Sequence, residues 1–321
     1  MKQFEDLYSD ITVNEELQSA WEDAVKEKKR NTKIGISIFL SIFLTVATVA
    51  LVATIKIEGF NYLVIPKVLF VMLPAMFFIG ILILCISMFF TKKHRKYTTV
   101  FKKIVIENLI KNFYNNSEYY PEKQMPRRIY DEEKYEFYNR YYSDDYIEAK
   151  INNKYDIGMA EVKTVHETTR RDSDGRTHTT RTTMFHGIFA KIVIDKSINS
   201  ELKIKRNGSG VFGKNRLEMD SSEFEKYFDV SATNKIIGMQ LLTADVMEEL
   251  IDFENKTKMK YDIVIKNNNI YLRFHSGTMF EPQALKKGII DKAYLQKYFY
   301  MLNFTYNLSD KIIKLINETE I

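Results

Sequence analysis

Apolar positions follow three different patterns along this chain. Residues 34–55 read IGISIFLSIFLTVATVALVATI and residues 68–90 read VLFVMLPAMFFIGILILCISMFF, both without a charge. A helix rises about 1.5 Å per residue and a bilayer core is ~30 Å thick, so each stretch predicts a membrane-spanning helix. A soluble helix of that length would keep a polar face. The second pattern has helical periodicity. NEELQSAWEDAVKEKKR, from Asn14, predicts a helix entering the first span, acidic at its start and basic at its end as the macrodipole favours. Val100, Phe101, Ile104, Val105, Leu109 and Phe113 form one apolar stripe beyond the second span, which predicts a packed face. Leu242-Thr243 opens a helix with Val246, Met247, Leu250, Ile251 and Phe253 apolar, and the tail after Asp291 predicts helix to about Asn317.

The third pattern is alternation. Residues 146–151, 155–165, 185–194, 201–205 and 229–231 predict strands. YDIVIKNNNIYLRF, from Tyr261, predicts a hairpin with Asn267-Asn268-Asn269 as its turn. The polar stretch 115–126, with two prolines, predicts a linker, and DEEKYEFYNRYY after it a short helix. Strands in mostly hairpin order, with helices between and after them, predict an α+β fold: an antiparallel-sheet domain with packing helices, carried on a transmembrane helical hairpin. The expected division is a cytoplasmic N-terminal helix (1–33), the transmembrane hairpin (34–90), juxtamembrane helices and linker (91–143), and the cytoplasmic α+β domain (144–321).

Charge sets the expected topology. Lys26, Lys28, Lys29, Arg30 and Lys33 precede the first span, and Lys92, Lys93, Arg95 and Lys96 follow the second. The connection KIEGFNYLVIPK carries only two lysines, so the positive-inside rule predicts a multi-pass protein of the cell membrane with both termini cytoplasmic. The first 30 residues carry no signal-peptide core. Neither span holds an ionisable group, which argues against an ion path. A net charge of +5 is too mild to predict a nucleic-acid partner. Cys85, the single cysteine, lies in the second span and excludes an internal disulfide framework or a CxxC metal site.

The candidate chemistry is sparse. RNGSGVFGK, residues 206–214, fits G-x-G-x-x-G, but a phosphate cradle needs a helix after it, and Lys214 to Met219 reads as extended chain. It predicts an inter-strand loop. His94, His166, His178, His186 and His275 show no helical metal spacing; His166 and His178 could join carboxylates only through the fold. No G-x-S-x-G occurs, and Asp144-Asp145 and Glu248-Glu249 read as ordinary surface pairs. No catalytic residue, cofactor or metal site is predicted. The stretch HETTRRDSDGRTHTTRTT, residues 166–183, stands out. Ser173-Asp174-Gly175 signals a tight turn between Thr-rich arms, with Arg170, Arg171, Arg176 and Arg181 around it. It reads as a solvated hairpin or loop, or as a basic finger for a protein partner or anionic lipid headgroups. Without interleaved aromatics it is no nucleic-acid stacking platform.

Several stretches resemble one family. They are Asp144-Asp145-Tyr146-Ile147-Glu148-Ala149-Lys150-Ile151, Ala160-Glu161-Val162, Phe185-His186-Gly187-Ile188-Phe189, LEMDSSEFEKYFDV (217–230) and LLTADVMEELIDF (241–253). In this order they are similar to the domain-of-unknown-function family numbered 3137. Ala149 and Ala160 depart from its pattern, where Gly and Ser are usual. The resemblance implies bacterial inner-membrane proteins with paired spans and a cytoplasmic α+β domain, and supplies no catalytic residues. The expectation is therefore a membrane-anchored binding or scaffold module of unknown ligand on the cytoplasmic face. The alternative is a membrane-associated enzyme acting on a small molecule or lipid headgroup. A homo-oligomer is compatible with either.

Overall fold

A computed structural model describes residues 1–58, 80, 92–208 and 215–318. Two compact units emerge: the first comprises Met1–Ile11, Lys102–Gln283 and Ile290–Ile321, the second Thr12–Phe101 with Ala284–Ile289. Helix α1 (Phe4–Thr12) opens the chain.

The second unit is helical. α2 (Glu15–Glu58) runs unbroken for 44 residues. Asn14 caps it, its Oδ1 accepting from the Leu17 N–H at 3.0 Å. The portion Glu15–Val49 is long and apolar enough to cross a membrane, with a window of mean hydropathy 1.9 of which none is buried. Thr45 and Thr48 donate their hydroxyls to carbonyls one turn back, at 2.9 and 2.7 Å, so these polar groups are satisfied within the helix as a lipid environment requires. The expected second span, 68–90, lies outside the described residues apart from Gly80, and so do Cys85 and the connecting loop. α3 (Lys92–Phe101) packs beside α2, and its buried Tyr97 donates to the Ile289 carbonyl at 2.6 Å.

The first unit is an antiparallel sheet with packing helices, as the sequence pattern predicts. A π-helical turn (Lys102–Ile106) leads into α4 (Glu107–Phe113), then β1 (Ser117–Tyr120) and α5 (Arg127–Asp131). β2 (Arg140–Ile151), β3 (Tyr155–Arg171) and β4 (Thr177–Arg206) follow as a meander. After β5 (Arg216–Leu217), α6 (Ser222–Tyr227) and β6 (Phe228–Ala232) come α7 (Lys235–Leu241) and α8 (Ala244–Thr257). β7 (Tyr261–Phe274) and α9 (Lys292–Glu318) complete the unit. The sheet order is β1-β2-β3-β4-β6-β5, with β7 added to β4. β4 is the spine. Ile188 to Ile192 pair with both β3 and β7, and Leu202 to Ile204 with both β6 and β7, so β7 lies on the opposite edge from the other two.

Three local expectations change. YDIVIKNNNIYLRF is one continuous strand, not a hairpin. Asn267 is left-handed (φ 52), but a single such residue makes a bulge, and β4 supplies its own extra residues between Val193 and Ile198 opposite it. The stretch expected as a linker contains β1, which pairs with residues 146–149 of β2. The short helix comes earlier than expected, at α5, and the rest of DEEKYEFYNRYY runs into β2.

Helices α8 and α9 cover the sheet through an aromatic core. Phe253 and Phe304 stack at 4.1 Å, with Tyr261 and Phe274 edge-on around them. Each buried ring of this kind contributes roughly 1.5–3 kcal/mol. A second cluster, Tyr130, Tyr138, Phe185, Phe189 and Tyr271, fills the space beneath α5.

Candidate functional site

Irregular backbone gathers four carboxylates in the first unit. β2 breaks its register between Asp144 and Ile147, and Asp145 there is left-handed (φ 53), a conformation that aspartate tolerates better than most non-glycine residues. The bulge buries the Asp145 side chain (1% exposed) and leaves Asp144 exposed. Glu161 sits opposite Asp144 on β3, and His186 follows on β4 opposite Lys163. From the π-helical turn Lys102 reaches across: its Nζ lies 2.9 Å from both Asp145 oxygens and 2.5 Å from Glu281 Oε1. The Tyr119 hydroxyl also donates to Asp145.

Gly187 makes the other half possible. A Cβ there would lie 1.8 Å from the Phe274 carbonyl oxygen and 2.7 Å from the Ser276 nitrogen, a space no side chain can share. The chain after β7 therefore crosses directly over β4, with the Gly277 N–H donating to the His186 carbonyl at 3.0 Å. That crossing delivers the Met279 N–H to Glu161 Oε2 (2.9 Å) and Glu281 to Lys102. His186 Nε2 is 3.4 Å from Glu161 Oε1 and 3.3 Å from Thr278 Oγ1.

Two of the four carboxylates, Asp145 and Glu281, share Lys102. Burial pushes the Asp145 carboxyl up to about 7, against the opposing pull of Tyr119 and Lys102. Although Asp144 is exposed as a residue, desolvation of its carboxyl by the surrounding chain, then Glu161, raises it as well. Burial would lower Lys102, but Glu281 and Asp145 more than offset it and hold the ammonium above its ordinary value. Asp144, Asp145 and Glu161 each offer one oxygen, all within 4.8 Å of one another. By type these are donors for a hard divalent cation, although Lys102 already brings a positive charge to Asp145. Asp145, raised to about 7, is the carboxyl of this cluster that burial favours in its protonated form.

The arginine stretch is an ordered β-ribbon. β2 leaves the ladder at the Arg140–Val165 pair, and from His166–Thr182 to Arg171–Thr177 strands β3 and β4 continue alone. Asp172 closes the tip, its Oδ1 accepting from the N–H groups of Asp174 (3.1 Å) and Arg176 (2.8 Å), with Gly175 left-handed at φ 78. The four predicted arginines share this ribbon but not one role. Arg181 donates to Glu167 Oε2 (2.6 Å), whose other oxygen takes Arg140 (2.8 Å), and Arg171 donates to the Gly175 carbonyl (3.1 Å). The side chains of Arg170 and Arg176 are exposed and have no partner among the described residues.

The histidines do not assemble a site with one another. His166 packs on Phe137 at 5.1 Å, His178 faces Asp172 (3.1 Å) at the tip, and His275 faces Asp262 (3.1 Å). In the glycine-rich stretch, the Gly208 N–H donates to Asp229 Oδ2 (3.1 Å) and Arg216–Leu217 form a strand; residues 209–214 lie outside the described residues. The carboxylate cluster is what residue-by-residue reading missed, because Asp144-Asp145 looks like any surface pair. The available signal was joint: Asp144, Asp145, Glu161 and His186 come from three of the stretches that carry the family resemblance.

No curated protein matches the chain. Among solved structures, the mycobacterial trehalose monomycolate transport factor A, TtfA, aligns over 66% of this chain and 95% of its own, at 7% identity and a TM-score of 0.36, a likeness too loose to support an argument. Residues 183–314, from the base of the ribbon through most of α9, match the model described as "Protein of unknown function (DUF3137)", the same domain-of-unknown-function family that the sequence motifs resemble.

Proposed function

We propose that this protein is a membrane-anchored binding module whose contact surface is the β3–β4 ribbon, residues 166–183, presented to a protein partner on the cytoplasmic face. The observation that carries this reading is the pair Arg170 and Arg176, two guanidiniums without a partner among the described residues, on a ribbon that projects past its last neighbouring strand. On a hydrogen-bonded scaffold the backbone is already ordered, so an arginine that meets a carboxylate there gives up only its own rotamer freedom. Anchoring rests on the apolar run of α2 and on the basic flanks of both apolar stretches. The test is photo-crosslinking from Thr177 and Thr179 in intact membranes, with mass spectrometry of what is captured. Protein capture is expected, falling about tenfold in Arg170→Ser/Arg176→Ser, the equivalent of ~1.4 kcal/mol. Capture of lipid alone, or of nothing, would sink the reading.

The cluster around Glu161 favours a second reading, an enzyme acting on a small molecule or lipid headgroup. A carboxylate beside a partly exposed imidazole is an arrangement that moves protons. Screening the full-length protein against water-soluble metabolites and lipid headgroups would expose a ligand, and that binding must weaken in Glu161→Gln for the reading to stand.

A further inference from the structure

A second surface of the same unit narrows the ribbon's partner. Between α8 and α9 runs a groove of about 550 Å³ lined by Asp245, Glu248, Glu249, Asp252 and Asp310. Two lysines oppose them there: Lys311 pairs with Glu249, and Lys314 with Asp310 at 2.7 Å. Asp252 is held by Lys256 at 2.6 Å. Asp245 and Glu248 are exposed, with no partner among the described residues. Among the described residues the groove thus carries two carboxylates without a partner, and the ribbon tip two such guanidiniums beside one such carboxylate, Asp174.

Geometry decides which molecule can bring them together. Asp310 accepts from Asn152 Nδ2 at 2.6 Å, and Tyr306 donates to Asn152 Oδ1 at 2.7 Å, so the groove lies by the β2–β3 turn. The ribbon tip is at the other end of β3, 17 residues away in one strand. At ~3.3 Å per residue that is about 55 Å. The ribbon is hydrogen-bonded along its length and cannot fold back over that distance.

We propose that the α8–α9 groove receives the ribbon tip of a second copy of this chain, with Arg170 and Arg176 meeting Asp245 and Glu248. This rests on the ribbon being a contact surface, as argued above, and adds what it contacts. Arginine forks suit carboxylates. The proposed contact is heterologous: each copy gives its ribbon to one neighbour and its groove to another, which builds rows or rings, whereas a reciprocal exchange between two copies would close a two-fold dimer. Copies anchored in one bilayer meet at raised effective concentration, which lets a modest ionic contact suffice.

The test uses the full-length protein in native membranes with a photo-crosslinker at Thr177. Crosslinks to α8 or α9 of another copy are expected, in a ladder of oligomers that weakens as salt screens the contact. Arg170→Glu/Arg176→Glu, or Asp245→Lys/Glu248→Lys, should each reduce the ladder at least tenfold. All four changes in one chain should restore it, which a mere loss of folding would not. A missing ladder, one indifferent to either reversal, or one not restored by the four together overturns the proposal. Capture of a different protein alone overturns the second-copy partner but leaves the ribbon as a contact surface; capture of no protein removes both.

Discussion

At the scale of single residues, the cluster depends on positions whose importance is invisible in composition. Gly187 is the clearest. Substituting Ala would put a Cβ 1.8 Å from a carbonyl oxygen that belongs to the backbone and cannot rotate away. Gly187→Ala should therefore cost about 3 kcal/mol or more, at the upper end of overpacking changes, read as a lower urea midpoint for the full-length protein. An unchanged midpoint would mean that the crossing after β7 is looser than described. Asp145 makes a prediction with a sign. Its carboxyl titrates near 7 when folded against an ordinary value of 3.8, so the folded protein binds that proton more tightly than the unfolded chain. The stabilisation is complete below the ordinary value and is lost as pH rises through about 7. Between these limits wild type should lose stability relative to Asp145→Asn as pH increases. The opposite trend would mean that the ion pair with Lys102 outweighs burial.

Among the elements, α8 and α9 were legible because apolar residues recurring every three to four positions admit few other readings. Their packing gives the third stability prediction. Phe304 is 3% exposed and stacked on Phe253 at 4.1 Å, so Phe304→Ala should cost ~3–5 kcal/mol in urea unfolding. A loss below ~1 kcal/mol would show that the core refills the cavity. The strands were legible as strands but not in their joins. Residues 185–194 and 201–205 each alternate, and their fusion into one β4 is decided by β7, a partner distant in sequence. Asn267-Asn268-Asn269 misleads for the same reason, since turn residues specify a kink and the opposing strand decides whether it reverses the chain. The carboxylate cluster was not legible either, because Lys102, Asp145, Glu161 and Glu281 are joined only through a bulge and a crossing.

For the whole molecule, the apolar run of α2 and the basic flanks support an anchored protein, and the ribbon and groove give the sheet unit two unlike ends. The ribbon is also not an appendage. β4 leaves the tip at Thr177 and continues through 30 residues, bonded along the way to β3, β7 and β6. A tug on the tip would pull β3 and β4 together against β2, β6 and β7, whose hydrogen bonds lie across the direction of pull and share the load in parallel. Tension at the fingertip would therefore be borne by the entire sheet before any one bond is peeled, as in a rope spliced into its anchor.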